Sequence, residues 1–154
     1  MDTARQTRTT DDRLFELTLR PERGFWNDGL PDTSPDGRVG QYLASGQGTA
    51  DGAQLEGTVS WDLFEDQEDE TIHPSDMAGH IHTTDGASIS FQTLGVFIPE
   101  NDAKTRWQQS AAMRFHTDDE RYGWLNGVLA TMDGSFDYDT MTHRYHVSVK
   151  DQSR

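Results

Sequence analysis

Apolar and polar positions alternate along most of this chain. In Arg13 to Leu19 (RLFELTL), Phe15, Leu17 and Leu19 fall on one side and Leu14, Glu16 and Thr18 on the other, the period of a half-buried strand. The same reading predicts strands at Val39 to Ser45, Ala53 to Leu63, Met77 to Thr84 and Ala87 to Ile98. Further strands are expected around Ser110 to His116 and Tyr122 to Met132, joined across Asp118-Asp119-Glu120, with Ser135 to Asp139 and Arg144 to Val149 at the end. Turns are predicted at the Gly-rich Gly46 to Gly52, at Asp85-Gly86 and at Asp133-Gly134. Pro21 to Gly37, with three prolines and three glycines, reads as a loop that Phe25 and Trp26 anchor to the body. Phe64 to Asp76, with six acidic residues and Pro74, reads as an exposed loop without the spacing of a calcium site. Pro99 to Thr105 reads as a polar connection. No stretch has a helical period. The pattern predicts an all-β protein with long polar loops, a single antiparallel β-barrel whose closure removes exposed edges and encloses a cavity.

Composition narrows this picture. A chain of 154 residues is one domain, here 13–150, with tails at 1–12 and 151–154. Only 32% of residues are hydrophobic, yet four Trp, four Tyr and seven Phe set it apart from disordered sequences and predict a small, aromatic-rich core. The net charge is −14, Asp outnumbers Glu, and Lys104 and Lys150 are the only lysines. That balance suits a surface adapted to concentrated salt, and so a halophilic source. It excludes nucleic acid as a partner, since phosphates require a basic footprint. Without cysteine, neither a disulfide framework nor a thiolate site exists. No apolar run nears the roughly 18 residues of a membrane span, and the charged N-terminus does not resemble a leader, so a cytoplasmic location is expected.

The candidate chemistry concentrates in Met113 to Gly134 (MRFHTDDERYGWLNGVLATMDG), the densest aromatic and apolar run. Arg114 and His116 share a strand face opposite Met113 and Phe115. Inside a barrel they would bind a carboxylate or polarise a carbonyl, with His116 as general acid or base. Tyr122, Trp124 and Asn126 share another face, and Trp61 and Tyr145 can approach them across the sheet to hold a flat ligand. Arg121 either lines that cavity or pairs with Asp118 or Asp119 in the turn. His80 and His82 also share a face, so a divalent metal held by them with His116 or Asp76 is the alternative to an outward polar surface. No nucleophile elbow or catalytic serine triad is present.

Three stretches, TTDGASI (Thr83 to Ile89), FHTDDERYGWLNGVL (Phe115 to Leu129) and the terminal YHVSV, together resemble the family called domain of unknown function 3237. GQGTADGAQLEGTV (Gly46 to Val59) and Trp61-Asp62 are similar to its Gly-rich segment and to the Asp-Trp pair that follows it. The resemblance runs from about Arg13 to Val149 and is most specific at Arg121 to Asn126. It implies an antiparallel barrel of the calycin or allene-oxide-cyclase kind, and no assigned reaction. His82 and His116 stand where family members often carry Arg and Glu. The resulting expectation is a barrel that binds a small organic molecule, with no organic cofactor. It would act as a cyclase, isomerase or lyase through acid–base chemistry, or else bind without catalysis, or serve as a structural barrel that forms homo-oligomers.

Overall fold

The computed structural model describes residues 13–26, 41–66 and 71–149. The expected tails, most of the loop from residue 27 to 37, the side chains of Phe25 and Trp26 and the centre of the acidic segment lie outside the described residues. Eight strands run β1 Arg13–Trp26, β2 Gln41–Asp51, β3 Glu56–Asp66, β4 His73–Thr83, β5 Ser88–Pro99, β6 Arg106–His116, β7 Leu129–Asp137 and β8 Thr142–Val149. Each pairs antiparallel with the next, and β8 returns to β1, closing the barrel. The all-β antiparallel barrel expected from the alternation is therefore the fold observed.

Alternation sets which side chains fill the interior. On β6 the inward set is Trp107, Gln109, Ala111, Met113 and Phe115, while every residue between them is exposed. Phe15, Leu17 and Leu19 of β1, Val59, Trp61 and Leu63 of β3, and Ile89, Phe91 and Phe97 of β5 complete much of the core. Eight strands leave an interior that side chains can nearly fill. Side chains accordingly pack most of the barrel's length, and the interior space expected from closure is confined to one end.

Several boundaries differ from the sequence reading, each for a local reason. β1 continues through Pro21 to Trp26, with a register shift between Pro21 and Arg23 that accommodates the missing amide donor. Gly46 to Asp51 is strand, not turn: Ala44, Gly46, Gly48 and Ala50 form a strip of small inward positions, and a Cβ at Gly46 would stand 2.9 Å from Trp61 Cζ2. Asp133-Gly134 likewise lies within β7, opposite His146 and Tyr145. Only glycine fits at 134, since a Cβ there would lie 1.9 Å from the Arg144 carbonyl oxygen and 2.7 Å from Tyr145 Cδ1. The acidic stretch divides between the end of β3 and the start of β4, so Glu65 and His73 are buried strand residues and not exposed loop. Asp85-Gly86 is the expected hairpin turn, with Gly86 at φ +96°.

The largest departure is at Glu120–Gly127: a strand is expected from Tyr122 onward, and the segment is a 3₁₀ helix between β6 and β7. Asp119 caps it, accepting from the Arg121 amide. With three residues per turn, Tyr122 and Leu125 share the inward face and Trp124 is left exposed. Leu125, fully buried, seals one end of the barrel with Tyr122 beside it; Phe15 and Phe115 meet edge to face at 6.0 Å in the same end. Burying a leucine side chain stabilises by roughly 1.5–3 kcal/mol.

Candidate functional site

The end of the barrel opposite this plug is where the C-termini of the odd strands meet the N-termini of the even ones. It is built differently. Extending each strand's inward phase to this end brings polar side chains inside: Glu65 after Leu63, His73 and Ser75 before Met77, Gln109 after Trp107, and His143 before Tyr145. These groups lie beneath an aromatic mouth. A hollow of about 400 Å³, counted out to the open solvent, is lined by Tyr42, Glu65, Trp107, Phe136, Tyr138 and His143 among others.

Two hydrogen-bonded groups occupy this region. In the first, His73 Nδ1 donates to Glu65 Oε2 at 2.7 Å, and the His73 ring stacks on Trp107 with centroids 4.4 Å apart. Trp107 is in turn held by its indole N–H, which donates to the Lys104 carbonyl at 3.0 Å. His73 thus stands behind Glu65 and aims the carboxylate at the hollow. In the second group, His143 Nδ1 lies 2.7 Å from the Tyr145 hydroxyl, Tyr145 donates to Gln109 Oε1, and Gln109 Nε2 donates to Ser75 Oγ at 2.8 Å. Among the described residues no buried side-chain nitrogen or oxygen lacks a partner.

Burial dominates the electrostatics. His143 is packed against Phe136 at 4.3 Å and Trp61 at 5.3 Å between ring centroids. That desolvation disfavours the imidazolium and pushes the pKa down to about 3. Burial raises Tyr145 well above the ordinary phenol range, and the Glu65 charge adds to it. Tyr42 and Tyr138 at the mouth are raised first by burial and then by the Glu65 charge, with Tyr42 adding to the rise at Tyr138. Alongside the Glu65 side chain, the hollow therefore presents neutral phenols and a neutral imidazole at neutral pH. That set can accept protons and hydrogen bonds from a bound molecule, with aromatic faces to hold an apolar body.

The residues singled out from the sequence are dispersed differently. Trp61 and Tyr145 are inside, both in contact with His143. Arg114 and His116 lie outside the barrel interior, which Met113 and Phe115 fill; with His80 and Asn126 they line a depression on the outer face, Arg114 bonded to Gln92 Oε1 at 2.8 and 3.2 Å and His116 exposed 3.5 Å from Asp118. Tyr122 is buried in the plug, its hydroxyl donating to both Asp85 oxygens at 2.9 and 3.0 Å. Arg121 makes a two-point pair with Asp119, at 2.9 and 2.7 Å, and donates to the Asp85 carbonyl at 2.9 Å. This pairing holds the Asp119 carboxyl down at about 2. Asn126 pairs its amide with the Thr117 backbone, accepting at 2.8 Å and donating at 3.0 Å. These three groups fasten the plug to the β4–β5 hairpin and to the strand end. Trp124 points outward because the segment is helical.

His80 and His82 lie on the outer surface with ring centroids 6.2 Å apart. Among the described residues no group of three or more His, Cys, Asp or Glu is placed to hold a metal ion, so His116 and Asp76 do not complete a set with them. Among the described residues, no helix is long and apolar enough to cross a membrane.

Glu65, His73, Gln109, His143 and the mouth aromatics were missed in the sequence, although the signal was there. His143 is two residues before Tyr145 and Glu65 two after Leu63, so continuing the inward phase by one step finds both.

Comparison with known proteins agrees with this architecture. A β-barrel-like protein from Acinetobacter baumannii superposes with a TM-score of 0.75 at 18% identity, covering 90% of this chain and 93% of that one. A conserved protein of unknown function from Rhodopseudomonas palustris gives 0.73 at 15% identity, covering 90% and 95%. An enzyme from Penicillium herquei gives 0.58 at 20% identity, covering 88% and 92%. At these identities the likeness shows the fold. No curated protein matches the chain. The sequence profile of the family described as protein of unknown function (DUF3237) matches residues 31–149, and the chain belongs to that family.

Proposed function

We propose that this barrel binds a small organic molecule at its open end and moves a proton on it, as a cyclase, isomerase or lyase would, with Glu65 as the acid–base group. One observation carries the reading: a buried carboxylate lines an aromatic hollow and is held there by His73 at 2.7 Å. Burying a carboxylate and an imidazole is costly, and a hollow with aromatic walls and a few convergent polar groups is where small molecules bind. Glu65 takes a proton from the bound molecule and returns it at a neighbouring atom, His73 fixes its orientation, and the aromatic mouth excludes water from the exchange. The Penicillium herquei relative, described as an enzyme, supports catalysis on this fold by analogy alone.

Native mass spectrometry in volatile salt identifies a co-purified molecule and the subunit number together. That molecule is then incubated with the protein in deuterated buffer. Wild type should exchange one carbon-bound hydrogen, and Glu65→Gln should bind the molecule without exchanging it. Equal exchange by both proteins would remove Glu65 from the chemistry, and binding with no exchange by either favours a non-catalytic binding module.

Two surface features support further parts of the reading. The charge of −14 suits a cytoplasmic protein of a salt-rich cell; stability unchanged between molar salt and dilute buffer would refute it. Exposed Leu94, opposite Ala112, and exposed Leu129, opposite Arg114, line a depression on the outer face of β5–β7 and favour self-association, which a monomeric mass would exclude.

A further inference from the structure

The hydrogen bonds beneath the hollow run in a direction that can be read from their deep end. Gln109 Nε2 donates to Ser75 Oγ, which turns the amide oxygen toward Tyr145. An amide oxygen only accepts, so the Tyr145 hydroxyl donates to it. With its one proton committed, the Tyr145 oxygen accepts from His143 Nδ1. The imidazole proton is therefore on Nδ1. Burial keeps the ring neutral, so Nε2 carries a lone pair. No described residue bonds to Nε2, no buried polar side-chain atom among the described residues is left unpartnered, and His143 lines the hollow; Nε2 thus opens onto it.

We propose that this relay fixes His143 as a hydrogen-bond acceptor, so that the hollow selects a molecule whose polar end is a hydroxyl group and turns away carboxylates and phosphates. The inference rests on the reading of the hollow as the binding site and adds the class of ligand. Its two inner polar groups, the Glu65 carboxylate and His143 Nε2, both accept, and among the described residues no Lys or Arg lines the hollow to meet an anion. The innermost part of the hollow is narrow, with room for a water-sized group, which suits a hydroxyl. Tyr42, Trp107 and Phe136 then face the body that carries it, which suits a phenol or another ring alcohol. Tyr145 and Gln109 are positioning residues here, acting through His143.

The test is long-range proton–nitrogen correlation spectroscopy on protein labelled with ¹⁵N-histidine, with the His143 signals assigned from a His143→Gln variant. Wild type should show the Nδ1–H tautomer at His143, and Tyr145→Phe should lose that preference. Phenol should shift the His143 Nε2 signal, while benzoate at the same concentration should leave it in place. An Nε2–H tautomer in wild type overturns the relay. A benzoate shift as large as that of phenol, or no phenol shift at all, overturns the selection. These failures differ from failure of the proton-transfer reading, which depends on Glu65→Gln and leaves the His143 tautomer untouched.

Discussion

The two ends of this barrel are made by the same eight strands, yet they solve opposite problems. At one end a short 3₁₀ helix inserts Leu125 and Tyr122, and on the outside Arg121 bonds both Asp119 and Asp85. At the other end the polar groups are inside, and Glu65, His73, Gln109 and His143 are buried beneath an aromatic mouth whose rim is the half-buried Tyr42 and the exposed Tyr138. The first arrangement keeps charge in water, where it costs little, and fills the interior with hydrocarbon. The second desolvates titratable groups and then has to satisfy every one. Stability requires only the first. The contrast teaches that the polar end is where this fold departs from the most stable solution, as sites of chemistry do.

That contrast can be broken by experiment, most forcefully at the plug. Leu125→Ala should cost about 2–5 kcal/mol, as truncations of buried leucines do, and Leu125→Asp should prevent folding. Urea melts would measure the loss. The His143 signals at the far end should stay in place in Leu125→Ala, and their movement would show that the two ends are not independent.

Acid should separate the ends by pH. His143 has a folded pKa of about 3, below the roughly 6.5 of an unfolded histidine, so the unfolded chain binds more protons between those values. Its contribution is fully present above about pH 6.5 and is lost as pH falls toward 3, at about 1.4 kcal/mol for each pH unit within that window. At the plug, Asp119 titrates near 2 when folded, so its contribution is lost only as pH drops from about 4 through 2. Stability measured from pH 7 to 4.5 should therefore fall in wild type and be flatter in His143→Gln. Equal slopes would remove His143 as the cause.

Tyr122→Phe deletes the hydroxyl that bonds both Asp85 oxygens while leaving its ring in place. A modest fall in Tm, smaller than that of Leu125→Ala, is expected, with any ligand response at the mouth unchanged. The smallest effect belongs to the outer wall. Arg114→Ala and His116→Ala should each change stability by no more than about 0.5 kcal/mol, the usual range for exposed positions. They should also leave ligand binding as in wild type; lost binding in either would move the site from the mouth to the outer face of β6.

Much of the fold could be read from the sequence because a strand announces itself by alternation: Phe15, Leu17 and Leu19, or Met113 and Phe115, mark their inward face without further help. The family resemblance could be read for a related reason, since its most specific motif, Arg121 to Asn126, is the plug and its fastenings. The site was harder. Arg114 and His116 were attractive as chemistry but had ceded the interior to apolar neighbours, and Tyr122, Trp124 and Asn126 were read with a period of two where the chain turns with a period of three. Glu65 and His73 were hidden by their surroundings, because a run of acidic residues with a proline looks solvated. Only closure of the barrel shows that two of its members turn inward.

The seam of the barrel has a practical consequence. β1 and β8 pair with Arg13 opposite Ser148, so the first and last strands begin and finish side by side at the plugged end. Anything tethered to either strand there would leave the aromatic mouth pointing away from the anchor. A surface coated with the protein through that end would show every hollow to the passing solution, which is the orientation a sensor or a scavenger of small molecules needs.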